Sequence, residues 1–490
     1  MRGAAIARRK LTAAWGWPSA NSDVCSIRVT RQSLSAAKRA VRAWQTPKNR
    51  AQQRHASYTR KPGVIKSRSC AAENKLKGIA MHKLRSTLLA PLALVLMSFA
   101  SLAAFSQTPA RVTTAATNIK HVFLILLENK NFSDTFETST QDPYLRKTLV
   151  PMGALLTEYY GTGHVSLDNY IALISGQAPT PDTDNDCLVR PRGALYIDVQ
   201  QTGTTPDGQV IAAHGCIYPA QVKTLADQLD AAGYDWKGYM EDMGNDPARE
   251  SATCGHPRVG GPDDTSSAEA PSAAVPLGDA YATRHNPFMY FHSIIDSPRC
   301  KTHVVNLNKL PADLKEVRTT PNFSLITPNL CNDAHDGGGT GARGRGCANG
   351  DPGGLTSADA FLQRWVPKIL ASPAYRQDGL LIITFDESAS AVSQHVDEKT
   401  RKRIVDVTFS GKTCCRQQRG PNLENARPGS VVLSESEKAL VRWVFDGYGG
   451  DRIGALLLSP FAKPGSKSNT PYNHYSMLRS LEDIFALDGY

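Results

Sequence analysis

Apolar residues fall along the chain in short unbroken blocks, with stretches of helical spacing between them. Residues 119–127 (IKHVFLILL) are almost continuously apolar, which predicts a strand covered on both faces, as in a parallel sheet. The block runs directly into Glu128-Asn129-Lys130-Asn131-Phe132. Residues 379–385 (GLLIITF) are the clearest such block, ending in Asp386-Glu387, and residues 234–239, 323–327 and 453–460 read as further strands. Between them, Val222, Leu225 and Leu229 repeat at helical spacing within residues 221–232, and residues 170–175, 358–369 and 475–486 also predict helices. Strands alternating with helices predict an α/β fold: a doubly wound, mostly parallel central sheet with helices on both faces. Two polar segments, 255–280 and 388–436, predict loops, the second an insertion carrying Cys414-Cys415.

Charge divides the chain. The total is +11 over 490 residues, yet residues 1–80 hold about 18 Lys and Arg against Asp23 and Glu73, roughly +16. The remainder is therefore mildly acidic, about −5, and the basic overall charge does not argue for nucleic-acid binding. The split falls at Met81. His82, Lys83 and Arg85 form a basic head, residues 88–100 are apolar or small, and Ala104-Phe105-Ser106 precedes Gln107. This is a secretory signal pattern over 81–106, with an apolar run short of the ~20 residues a bilayer span needs. Residues 1–80 then read as an upstream stretch preceding the true start at Met81, or as a disordered basic extension, and residues 107–490 as the catalytic domain. With Tyr490 close behind the last predicted helix, a further strand or tail is expected beyond it. The expected destination is the periplasm or the exterior, with no stable membrane anchor after signal cleavage.

Cysteine usage agrees with export. Of ten cysteines, Cys25 and Cys70 lie upstream; the other eight form an even set suited to disulfides in an oxidising compartment. Cys187–Cys216 and Cys331–Cys347 are candidate local pairs. No Cys-x-x-Cys occurs, which argues against a tetrahedral zinc cluster.

Chemistry-bearing residues gather at predicted strand ends and turns. Glu128-Asn129 and Asp386-Glu387 offer hard oxygen ligands for Mg²⁺, Mn²⁺ or Ca²⁺, and adjacent buried carboxylates are costly unless paired or metal-bound. Gly161-Thr162-Gly163-His164-Val165-Ser166 leads into a helix, so Ser166 lies at a helix N-terminus, where amides and dipole favour an anion; the competing reading is a simple N-cap. Asn169 follows one turn later. Asp333-Ala334-His335-Asp336, Arg284-His285-Asn286 and Asn473-His474 add proton donors or ligands. A serine activated by a metal, with histidine to protonate a leaving alkoxide, is a complete set for attack on phosphorus.

The ordered set Glu128-Asn129-x-x-Phe132, His164-x-Ser166-Leu167-x-Asn169-Tyr170, Pro328-Asn329-x-Cys331-Asn332-Asp333-x-His335-Asp336, Phe385-Asp386-Glu387, Ser459-Pro460-Phe461-x-x-Pro464-Gly465 and Tyr472-x-His474-Tyr475 resembles the bacterial phosphoesterase family. That family contains secreted acid phosphatases and phospholipase C enzymes and is a branch of the alkaline-phosphatase superfamily. The resemblance covers about residues 118–490. It implies an alkaline-phosphatase-like fold with Ser166 as the phosphoryl-accepting nucleophile and Asn169 as a donor to phosphate oxygens. It further implies a divalent metal (Mg, Mn, Ca or Zn) on Glu128, Asn129, Asp386 and Glu387, with Asp333 or Asp336 at a second position. His164, His285, His335 and His474 would line the site. Val165 departs from a frequent family proline, which would loosen the turn before Ser166. The His-x-Ser-x-x-Asn-Tyr form favours an acid-phosphatase-like phosphomonoesterase acting on small phosphate esters. The alternatives are a phospholipase C-type diesterase acting at phospholipid head groups and a secreted binding protein without catalysis. The sequence carries no signal for oligomeric state.

Overall fold

The computed structural model describes residues 118–189, 193–335, 347–423 and 429–487. The upstream stretch, the signal segment and Asp336 lie outside the described residues. Twelve strands matter for the site: β1 (His121–Leu127), β2 (Ala154–Leu156), β3 (Trp236–Met240), β4 (Val304–Asn306), β5 (Phe323–Thr327) and β6 (Gly379–Phe385) come first. They are followed by β7 (Ala391–Val396), β8 (Arg403–Phe409), β9 (Gly429–Glu435), β10 (Ala439–Phe445), β11 (Ala455–Leu458) and β12 (Ser466–Ser468).

An 8-stranded sheet has the order β4-β3-β5-β1-β6-β11-β2-β12. β11 pairs antiparallel with both β6 and β2, while the other pairings are parallel. β1 is central and buried at every position, as its unbroken apolar run requires. Each fully buried Val, Leu, Ile or Phe of this kind contributes about 1.5–3 kcal/mol of transfer free energy. Helices flank the sheet: α1 (Ser166–Ser175), α2 (Leu225–Ala232), α3 (Gly354–Ala371) and α4 (His474–Ile484), with α1 packed on α4. The α2 boundaries follow from local chemistry. Thr224 and Asp227 form a capping box, and Gly233 closes the helix in the left-handed conformation. The mixed α/β class is as the pattern predicts, with β1, β5 and β6 in near-register agreement.

The segment expected to be a loop over 388–436 is corrected. It forms most of a separate 4-stranded sheet, β7-β8-β10-β9, completed by β10. Its strands are half-exposed, and β7 is exposed throughout. Polar alternation therefore replaces the solid apolar run that marks the main sheet. At its inner end Phe409 stacks on Phe445, with ring centroids 4.9 Å apart, and faces the His164 ring at 5.2 Å. The described cysteines pair as Cys187–Cys216, Cys254–Cys300, Cys331–Cys347 and Cys414–Cys415.

Candidate active site

The carboxyl ends of β1 and β6, adjacent and parallel in the sheet, deliver Glu128-Asn129 and Asp386-Glu387 to one place, where open α/β sheets bind ligands. Between them rises the N-terminus of α1. The Ser166 hydroxyl donates to Glu128 Oε2 at 2.6 Å, and the Tyr170 hydroxyl donates to Glu128 Oε1 at 2.6 Å. The i, i+4 spacing puts both hydroxyls on one helix face, so a single carboxylate collects them. The Asn129 side chain adds a third donor to Oε2 at 2.9 Å. Asp386 is tied in through Oδ1, which accepts from the Asn129 amide at 2.9 Å and the Glu387 amide at 2.6 Å.

These carboxyls are out of water. Burial pushes Glu128 up to about 7, against the neighbouring Asp386 carboxyl and the hydrogen bonds from Ser166 and Tyr170. Burial, then the charges of Glu128 and Glu387, raise Asp386 well above the usual carboxylate range. His285 lies fully buried between Glu128 and a further carboxyl, Asp333, with Nε2 at 3.5 Å from Glu128 Oε1 and Nδ1 at 3.5 Å from Asp333 Oδ2. Its ring stacks on Tyr170 at 5.4 Å and 5°. Burial and the neighbouring Arg284 charge hold its pKa far below the usual histidine range, so the ring is neutral. Burial also lowers the Lys130 ammonium, whose Nζ donates to the Asn129 carbonyl at 3.1 Å.

A divalent cation fits this donor set. Asp386 Oδ2 and both ring nitrogens of His285 are buried without a hydrogen-bond partner among the described residues. Two desolvated carboxyls facing one another gain most from a shared positive ion. Among the described residues, however, no three His, Cys, Asp or Glu side chains stand at ligand spacing. Glu128, Asn129 and Asp386 are the residues brought together.

Other expected site residues have different partners. Glu387 turns away from Asp386: one oxygen contacts His164 Nδ1, and the other accepts from the Val165 amide at 3.1 Å. His164 Nε2 meets the Ser410 carbonyl at 2.7 Å, tying the loop before Ser166 to the four-stranded sheet. Asn169 Oδ1 accepts from the amides of Thr162 at 2.7 Å and Gly163 at 3.0 Å, while its Nδ2 donates to Asp168 at 2.8 Å. Its amide pins the loop before Ser166. His474 is placed behind Asp386, with Nε2 donating to the Asp386 carbonyl at 2.6 Å and Nδ1 3.0 Å from the Tyr159 hydroxyl. Burial lowers its pKa to about 4, so it is a neutral strut. Asp333 joins the site through its contact with His285, and its Oδ1 accepts the His335 amide at 2.8 Å. Val165 sits at φ 86, where a β-branched residue is strained and proline's fixed φ does not reach. The Glu387 bond to its amide helps hold that strain.

Three residues have roles that the motifs do not assign. Tyr170 stands in the quoted motif, but its bond to Glu128 is foreshadowed only by its spacing from Ser166. Arg284 is half-buried beside the site; desolvation acts to lower its pKa, but the charges of Asp186, Glu128, Asp263 and Asp333 outweigh it. Its Nε lies 3.5 Å from Asp186 Oδ2. Asp186 Oδ1 in turn accepts the Leu167 amide at 2.9 Å, capping α1 from another loop where Val165 supplies no side-chain cap. Burial lifts the Asp186 carboxyl to about 6.

The chain matches the phosphoesterase family over residues 135–488. It is 27% identical over 263 residues to a phosphate-repressible acid phosphatase of Penicillium chrysogenum, covering 54% of this chain and 47% of that protein. It is 23% identical over 296 residues to a phosphatidylinositol-3-phosphatase of Mycobacterium tuberculosis, covering 60% and 70%. The chain spans about half the length of the fungal acid phosphatases it matches. These fungal relatives make "bacterial" too narrow a description of the family. A solved protein of the alkaline phosphatase superfamily from Vibrio parahaemolyticus aligns with TM-score 0.39 and 13% identity, covering 76% of this chain and 68% of that one.

Proposed function

Because the chain belongs to the phosphoesterase family, we propose that it is an exported, metal-dependent phosphomonoesterase of the acid-phosphatase kind, working through a phosphoserine at Ser166. The observation that carries this is the Ser166 hydroxyl, 2.6 Å from a fully buried carboxylate at a strand end, with a second desolvated carboxyl and a buried neutral histidine alongside. Glu128, Asn129 and Asp386 would hold the cation, which when bound lowers the hydroxyl pKa and offsets phosphoryl charge. Tyr170 and Asn129 orient Glu128, and Asn169 and Glu387 fix the loop that presents Ser166. The serine hydroxyl proton passes to Glu128, to which it is hydrogen-bonded, the serine oxygen bonds to phosphorus as the ester oxygen leaves, and the leaving alkoxide takes its proton from water. Water then cleaves the phosphoserine, returning the hydroxyl.

Export, with residues 81–106 as its signal, is part of the proposal. The four paired disulfides support an oxidising destination. Among the described residues, no helix is long and apolar enough to cross a membrane.

The test is hydrolysis of p-nitrophenyl phosphate by protein with and without Mg²⁺ or Mn²⁺, together with intact-mass detection of the phosphoenzyme. Wild type should gain one phosphoryl group on acid quench, and Ser166→Ala should gain none and lose activity by at least ~10³-fold. A Ser166→Ala variant as active as wild type would sink the nucleophile assignment. Release of phosphocholine from phosphatidylcholine without monoesterase activity would replace this reading with the diesterase one. No turnover of any phosphoester with added cations would favour a binding protein.

A further inference from the structure

The site is rich in carboxyls, and an anionic phosphate ester entering it needs fixed positive charge to meet. Arg284 is the guanidinium nearest to supply it: its Nη1 donates to the Ser266 carbonyl at 3.1 Å, and the charges of Asp186, Glu128, Asp263 and Asp333 all act on it. In the structure it is engaged by Asp186 at 3.5 Å. The other oxygen of that carboxylate takes the Leu167 amide at 2.9 Å, one residue from the nucleophile on the first turn of α1. An oxyanion thus bridges a guanidinium and a helix-terminal amide beside the serine, which is the coordination a phosphoryl group takes in such a setting. Asp186 and Cys187 both adopt the left-handed conformation, at φ 49 and 58, and Cys187 is bonded to Cys216. The loop is thereby anchored immediately after the carboxylate it presents.

Building on the phosphomonoesterase reading, we propose that Asp186 is an internal stand-in for the substrate's phosphoryl oxygens and that Arg284 is the specificity-determining residue that receives the dianion of a monoester in its place. A monoester presents two charges and three unsubstituted oxygens, enough to displace a carboxylate from the guanidinium. A diester presents one charge and places a second organic group toward Arg284. Selection between the two classes follows from this exchange of one anion for another.

The experiment uses the full chain with Mg²⁺ and compares p-nitrophenyl phosphate with bis-p-nitrophenyl phosphate, taking inorganic phosphate as the competitive probe. Arg284→Gln should lower kcat/KM for the monoester by about a hundredfold and for the diester by less than tenfold. Arg284→Lys should restore only part of the loss, because an ammonium lacks the two-pronged geometry. Asp186→Asn keeps an acceptor for the Leu167 amide but removes the competing charge, so inorganic phosphate should inhibit about fivefold more tightly. A monoester-to-diester ratio in Arg284→Gln within threefold of wild type overturns the proposal, since a purely structural arginine lowers both substrates together. If that variant does not fold, the phosphate inhibition constant of Asp186→Asn decides alone, and an unchanged constant overturns it. Wild type that cleaves only the diester refutes the underlying phosphomonoesterase reading instead, a separate result.

Discussion

Tyr170→Phe isolates one hydrogen bond to the buried carboxylate on which the proposed metal site depends. The ring stays, so the stack on His285 at 5.4 Å is kept; only the hydroxyl at 2.6 Å from Glu128 Oε1 is removed. A hydrogen bond to a charged, buried group contributes about 1.5–3 kcal/mol. Its loss favours the protonated form of a carboxyl that burial already pushes up to about 7. Cation and proton compete for Glu128, so the variant should bind a divalent ion about 10–100-fold more weakly, the range found when partners of metal ligands are removed. The deficit should be larger at pH 5 than at pH 8. The assay titrates Mg²⁺ into chelator-stripped protein and follows the rise in Tm, with p-nitrophenyl phosphate hydrolysis as a second readout. A Mg²⁺ midpoint within threefold of wild type at both pH values would show that Tyr170 does not tune Glu128.

Away from the site, burial pushes the Glu250 carboxyl up to about 8 from 4.5, while Oε1 accepts the Gly244 amide at 2.7 Å. A folded pKa above the unfolded one stabilises fully below about 4.5, and this contribution is lost as pH rises through 8. Between pH 5 and pH 8.5 it amounts to at least about 2 kcal/mol. Urea unfolding at pH 5 and pH 8.5 should show wild type losing that much relative to Glu250→Gln, whereas parallel profiles would contradict the linkage. A Cβ on Gly163 would collide with the Asp168 carboxylate. Gly163→Ala should therefore shift the loop before Ser166 and lower kcat/KM by ~10²-fold with circular dichroism unchanged. Asn169→Ala leaves the Thr162 and Gly163 amides without their buried acceptor and should cost about 2–4 kcal/mol in unfolding experiments; lost activity at full stability would instead mark Asn169 as a direct phosphate donor.

The central sheet was legible because β1, β5 and β6 are buried on both faces and therefore spell themselves in uninterrupted apolar letters. Ala154–Leu156, Val304–Asn306 and Ser466–Ser468 are three residues each, too short for any period to show. The four-stranded sheet hid for another reason. Half-exposed strands such as Arg403–Phe409 mix Asp406 and Thr408 with valines and read as polar loop. Among site residues, strand-end position pointed to Glu128, Asn129 and Asp386 through the general rule for open sheets. The diverging contacts of Asp386 and Glu387 were not readable, because both stand just past the end of β6 and only the fold decides which partners each meets. Asn169 and His474 are polar residues inside motifs, and spacing alone does not distinguish a group that holds backbone from one that meets substrate. Asp186 and Arg284 are about a hundred positions apart, so their meeting over α1 belongs to tertiary structure alone.

The four-stranded sheet leaves the chain after β6 and returns just before β11, two strands that lie side by side and run in opposite directions. Its points of departure and re-entry are therefore close neighbours in space. A module hung from such a junction can lengthen, shrink or be exchanged at little entropic cost to the layers beneath it, because closure is already enforced by the pairing of its flanks. Since its inner edge grips His164 through the Ser410 carbonyl, remodelling this part would retune what reaches Ser166 while the sheet that carries the partners of Ser166 stays as it is.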